Sequence, residues 1–291
     1  MRDTMRTPKL SPDRNGTSAL VADAPAIIRF VGVHKRFGQQ HVLEDLTMDI
    51  PTGLTTVVMG PSGCGKSVML KHIVGLLRPD AGEVYFDGER IDRLKEREFR
   101  RIRLQIGLLF QMAALFDSMN VLQNIEFPLV EHTTLTAAER RDRVREALEM
   151  VDLAGVEQKL PAQLSGGQRK RVGLARAIVL RPRVVLYDEP TTGLDPIRSD
   201  GINELIIKLR RTMNVTSIVV THDLVSARKV ADHVVMLLGG KVAAKGTYDQ
   251  IESNSDPHVQ HFVKGHYDKA DEDVMPAIPQ RNDSPAPEAM P

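Results

Sequence analysis

Short runs dominated by apolar and β-branched residues recur along the chain, at Thr55 to Met59, Val184 to Tyr187, Ser217 to Val220 and Val234 to Leu238. Runs this short, with so little alternation, mark strands buried on both faces. Helical patterns separate several of them; after Gly65, for example, Met69, Leu70, Ile73 and Val74 recur at helical spacing. The alternation predicts an α/β fold around a largely parallel sheet, with its ligand beyond the carboxyl ends of the strands. The pattern changes between about residues 113 and 161. There Thr136-Ala137-Ala138-Glu139 has the form of a capping box, and Val144, Leu148 and Val151 then share one helix face. This segment reads as a small helical insertion in the α/β core.

The ends of the chain have another character. Residues 1–25 and 268–291 are rich in Pro, Asp, Ser and Asn and poor in large apolar side chains, the composition of disordered tails. The folded unit is expected over 26–250, followed by a C-terminal segment over 251–267. In that segment Asp256-Pro257 sets up a short helix, with Val259, Phe262 and Val263 spaced to share a face. The last strand-like run ends by Gly246, so this face is expected to serve assembly with a second copy or an accessory subunit. The alternative is a helix folded back on its own domain.

Composition adds exclusions. Thirty-eight acidic residues against 39 Lys and Arg leave no basic field, and no nucleic-acid partner is expected. Uncharged runs such as Leu104 to Phe116 fall short of the about 20 apolar residues that span a bilayer. The first two dozen residues hold no apolar core of a secretory signal, so a cytoplasmic protein is expected. Cys64, the single cysteine, has no partner for a disulfide or metal cluster, which suits a reducing compartment.

The candidate chemistry begins at Gly60-Pro61-Ser62-Gly63-Cys64-Gly65-Lys66-Ser67, between a strand and a helix, the context a Walker A phosphate loop requires. Glycines let successive backbone N–H groups turn toward phosphates, and the helix start adds partial positive charge. Lys66 is then placed to reach the β- and γ-phosphates of ATP, and the Ser67 hydroxyl to ligate Mg²⁺. Farther on, an apolar strand ends in Asp188-Glu189. Asp188 suits the metal's coordination sphere, and Glu189 is placed to polarise an attacking water.

Leu164-Ser165-Gly166-Gly167-Gln168 resembles the signature sequence of the ABC ATPases. Ser165 is expected to cap a helix starting near Gln168, leaving glycine N–H groups directed at a phosphate. The resemblance covers about Ile27 to Gly265 and implies a RecA-like P-loop NTPase core with an ABC β-subdomain and a helical subdomain. It also implies roles for further residues. Gln111 stands where the family has its Q-loop, contacting metal and attacking water; Asp195 corresponds to the D-loop, His222 to the switch histidine, and Phe37 to the aromatic that stacks on adenine. In this family two domains dimerise head to tail, so the signature of one copy closes over ATP held by the other. Every motif occurs once here, so a second copy and a separate permease are implied.

Three segments narrow the resemblance: Leu109 to Val121, Asn124-Ile125-Glu126-Phe127-Pro128-Leu129, and Asp256 to Gly265. They are similar to the ATPases of MCE-associated lipid transporters, of which the Mla phospholipid systems are the best known. That implies a permease dimer, an MCE substrate-binding protein, in some systems a STAS-domain protein, and a place on the cytoplasmic face of a bacterial inner membrane. Thr191-Thr192 departs from the larger apolar residues of many Mla members and is common among other importers. An ATPase of a small-polar-solute importer is therefore the second reading. Ribosome- or DNA-acting ABC proteins carry paired cassettes or long coiled coils, which this chain lacks. A P-loop kinase would leave the signature and His222 unexplained.

Overall fold

Successive side chains of a strand point to opposite faces, so a strand buried on both sides must feed two cores. The computed structural model describes residues 24–265 and shows this division. In chain order it contains β1 (Ala26–Phe37), β2 (Gln40–Pro51), β3 (Thr55–Met59), α1 (Lys66–Ile73), β4 (Ala81–Phe86), β5 (Glu89–Arg90), α2 (Glu96–Arg103) and β6 (Ile106–Leu109). Then come α3 (Val121–His132), α4 (Ala137–Met150), α5 (Gly166–Ile178), β7 (Val184–Asp188), α6 (Pro196–Met213), β8 (Thr216–Thr221) and α7 (Leu224–Val230). The chain continues through β9 (His233–Leu238), β10 (Lys241–Gly246), α8 (Tyr248–Glu252) and α9 (Pro257–Lys264). The tails expected over 1–25 and 268–291 lie outside the described residues, except for Ala24 and Pro25.

The main sheet has the order β10-β9-β3-β8-β7-β6, parallel except for the β10 edge. Val57, Met59, Val185, Tyr187, Val219, Val234 and Met236 face one core, whereas Val58, Val184, Leu186, Ile218, Val220, Val235 and Leu237 face the other. The first core is closed by α3 to α7, the second by α1, α2 and the antiparallel sheet β2-β1-β4-β5. Because β3, β8 and β7 are neighbours, the loops after their carboxyl ends lie side by side, as a ligand site at this edge requires.

Two local devices fix what surrounds that edge. The buried Asn124 side chain of α3 donates to the carbonyls of Phe116, Met119 and Asn120 and accepts from Phe116 N–H at 2.9 Å. This pins the loop leading into the helical insertion. Thr136 caps α4 in a capping box with Glu139, and Val144, Leu148 and Val151 are buried together.

At the C-terminus, packing within the chain follows the second of the two readings of this segment. Asp256 does cap α9, accepting from His258 N–H at 2.8 Å, with Pro257 in the first turn. The apolar face does not stay free for a partner, however. Val259 is fully buried in the first core, and Phe262 and Val263 pack against it. Gln260 Nε2 adds hydrogen bonds to the Glu252 and Asn254 carbonyls at 2.8 and 2.7 Å. The spacing of apolar residues defined a face, and the chain's own domain occupies it.

Candidate functional site

Close packing dictates the residues of the phosphate loop. A Cβ on Gly60 would lie 2.2 Å from the Leu237 carbonyl oxygen of β9, and Gly60 has φ of 148°, so only glycine fits where the chain leaves β3. At Gly65, φ is 102°, and a Cβ would stand 2.6 Å from Leu43 Cδ2. The antiparallel sheet thus packs directly behind the loop. Lys66 is buried, and its Nζ donates to the carbonyls of Gly60 at 2.7 Å and Pro61 at 2.8 Å, which brings the ammonium into the curl of the loop. No side chain caps the start of α1 and no acidic residue occupies its first turn, an arrangement suited to an anion. Ser62 and Gly63 are exposed at the loop's tip and Pro61 is half-buried. Cys64 is buried with the second core, its Sγ 3.9 Å from Lys66 Nζ; burial pushes its thiol pKa up, against the lowering effect of Lys66, and disfavours thiolate chemistry.

Across the strand ends, Ser67 Oγ donates to Asp188 Oδ1 at 3.0 Å. Burial raises the Asp188 pKa, and the Ser67 hydrogen bond opposes that rise. The hydroxyl and carboxylate together offer hard oxygen donors of the kind Mg²⁺ takes alongside phosphate and water. Glu189 follows in the left-handed region, with φ of 49° and its N–H bonded to the Val220 carbonyl at 2.9 Å. This turn swings its carboxylate to His222, whose Nδ1 lies 2.9 Å from Glu189 Oε2, while Thr192 Oγ1 donates to the same oxygen at 3.2 Å. A lysine, a Ser–Asp pair and a carboxylate held by a histidine thus meet at one sheet edge. That set can bind a polyphosphate and activate water against it.

The remaining sequence-predicted residues form a second group. Ser165 is the N-cap of α5, which begins at Gly166, two residues earlier than expected. The reason is a capping box: Gln168 N–H donates to Ser165 Oγ at 3.3 Å and Ser165 N–H to Gln168 Oε1 at 3.0 Å. Ser165 is exposed, and its side chain bonds within this box rather than to the phosphate loop. Gly166 and Gly167 lie against Leu194 and Arg198, next to Asp195, which caps α6 by accepting from Arg198 N–H at 3.0 Å. The Gln111 side chain is exposed at the end of β6. Phe37 stands 46% exposed at the β1–β2 turn, with Lys35 Nζ 5.6 Å from its ring centre.

Three contributors went unread in the sequence. Lys170, 5% exposed, donates from Nζ to the backbone carbonyls of Gln111 and of Glu189, the latter at 3.2 Å. A signal existed: Gly167, Lys170, Leu174 and Ile178 follow the spacing of the buried helix face. Thr191 and Thr192, read only as a departure from a pattern, bind Asp223 and Glu189 respectively.

Comparison with known proteins agrees with this geometry. The sequence profile of the ABC transporter family matches residues 43–192. The chain is 44% identical over 238 residues to a Mycobacterium leprae protein named a probable ribonucleotide transport ATP-binding protein, covering 82% of this chain and 69% of that one. It is 42% identical over 231 residues to the intermembrane phospholipid transport system ATP-binding protein MlaF of Haemophilus influenzae, covering 79% of this chain and 88% of MlaF. The dimeric post-hydrolysis structure of the ATP-binding cassette MJ0796, with bound ADP and phosphate, superposes with a TM-score of 0.70 at 35% identity, covering 76% of this chain and 98% of that one. Fold, motif order and these likenesses lead to one conclusion: the chain belongs to the ABC transporter family and is an ATP-binding, ATP-hydrolysing cassette of it.

Proposed function

We propose that this chain powers phospholipid transport in a bacterial envelope, as a head-to-tail dimer on the cytoplasmic face of an inner-membrane permease. The observation that carries the reading is the 42% identity extending over 88% of MlaF, a phospholipid-transport ATPase by name. No helix among the described residues is long and apolar enough to cross a membrane. An MCE substrate-binding protein and a STAS-domain protein are the further partners of this reading.

Within each site, residues 60–67 hold the ATP phosphates and Phe37 stacks on adenine. Ser67, Asp188 and Gln111 hold Mg²⁺, which when bound neutralises charge on the phosphates. Glu189 orients and polarises the water, and His222 steadies its carboxylate. Ser165, Gly166, Gly167, Gln168 and Asp195 serve the opposite copy's nucleotide. The exposure of Ser165 supports this, as does its self-contained capping box. Replacing Ser165 with arginine is accordingly expected to lower ATP turnover about 100-fold. Equilibrium binding of a fluorescent ATP analogue to the monomer should change by less than about twofold, since the bulk falls on a surface used only in trans. Loss of binding by the monomer would refute an interfacial role.

The transport reading is tested by purifying the chain with the products of its neighbouring genes and identifying the co-purified molecule by mass spectrometry. Phospholipid bound to an MCE-containing complex is the expected result. A small polar solute with a periplasmic binding protein would replace the reading with the importer that Thr191-Thr192 suggests.

A further inference from the structure

Lys170 lies one turn into the helix whose first residues form the signature, so it moves with them. From there its Nζ donates to two backbone carbonyls of the chain's own site, those of Gln111 and Glu189. Glu189 is therefore held at both of its backbone groups, its N–H by the Val220 carbonyl and its carbonyl by Lys170 together with Thr192 N–H at 3.3 Å. Its left-handed conformation, an uncommon one for glutamate, aims the carboxylate at His222 and Thr192. Burial pulls the lysine's pKa down, and the charges of Glu189 and Asp188 oppose the fall. A desolvated ammonium is costly, and a methionine of similar length would avoid that cost while taking away the donor to the Gln111 and Glu189 carbonyls.

We propose that Lys170 is a positioning residue that couples the two ATP sites of the dimer. This rests on the head-to-tail reading above, in which the start of α5 closes on the partner's nucleotide. A shift of α5 on closure travels through one rigid helix to the ammonium and from there to the peptide that aims Glu189 in the other site. Each site then responds to occupancy of its neighbour, and two coupled sites give sigmoidal kinetics with a Hill coefficient above 1.

The test uses the full-length chain, purified with its neighbouring gene products, and compares wild type with Lys170→Met. Wild-type ATPase activity should rise sigmoidally with ATP. The variant should show a Hill coefficient of about 1 and a turnover about tenfold lower, the size of a typical coupling effect. Its affinity for a fluorescent ATP analogue should stay within about twofold of wild type, because no nucleotide contact is removed. Lys170→Gln, which keeps amide donors on a shorter stem, carries the same test should thermal melting show the methionine variant unfolded. Unchanged cooperativity in a folded variant would overturn the role of Lys170 alone. Nucleotide affinity falling in step with turnover would mark a purely structural pin and also overturn it. A wild type that stays monomeric and hyperbolic in ATP would overturn the dimer, and the coupling with it.

Discussion

Replacing Lys66 with alanine is expected to lower ATP turnover by about 1,000-fold, or about 4 kcal/mol of transition-state stabilisation. Among residues 60–67 it is the only side-chain cation, and hydrolysis gathers negative charge on the transferred phosphoryl group. Its burial within the loop means that the charge acts where water screens it least. The alanine variant also loses hydrogen bonds to the Gly60 and Pro61 carbonyls, so phosphate release should be measured alongside circular dichroism. Near-normal turnover by a folded Lys66→Ala protein would remove the phosphate role from this loop.

The Glu189→Gln variant is expected to lose a comparable factor, about 1,000-fold, by a different route. Glutamine keeps the shape, and its amide oxygen can still accept from Thr192. It lacks the basicity to polarise water. Binding should therefore survive while hydrolysis stops, and ATP should accumulate in a closed dimer. Size-exclusion chromatography with MgATP, on the variant and its membrane partner, would show the shift. A variant that turns over ATP like its parent, or stays monomeric under those conditions, would show that Glu189 has another task.

How far the sequence revealed this architecture depended on whether one physical rule acted alone. The parallel strands were legible because burial on both faces leaves unbroken apolar runs, as at Val57-Val58-Met59. The phosphate loop was legible because backbone collisions, such as Gly60 against Leu237, permit few alternatives. The antiparallel sheet was much harder to read from residue pattern. Along β1, register irregularities near Ala26/Ile28 and Phe30/Val33 disturb the alternation, so that Ile27 and Ile28 are both buried. Lys170 was hidden for another reason: a charge just past the signature reads as solvated until its carbonyl partners, 59 and 19 residues away, are known. For α9, periodicity revealed a face and left its occupant open, since a partner and the chain's own core make the same demand.

The first core has an engineering consequence. Val121, Ile125, Leu129, Val144 and Leu148 of the helical insertion belong to the same buried cluster as Val185 and Val219 of the sheet. The insertion is therefore not a cassette that can be cut out at its loops. Excision would uncover the apolar side of α5, against which α3 and α4 pack, and leave an aggregation-prone apolar surface. A chimaera that borrows these helices from a relative would also need compensating residues on α5, because its graft boundary runs through the interior of the protein.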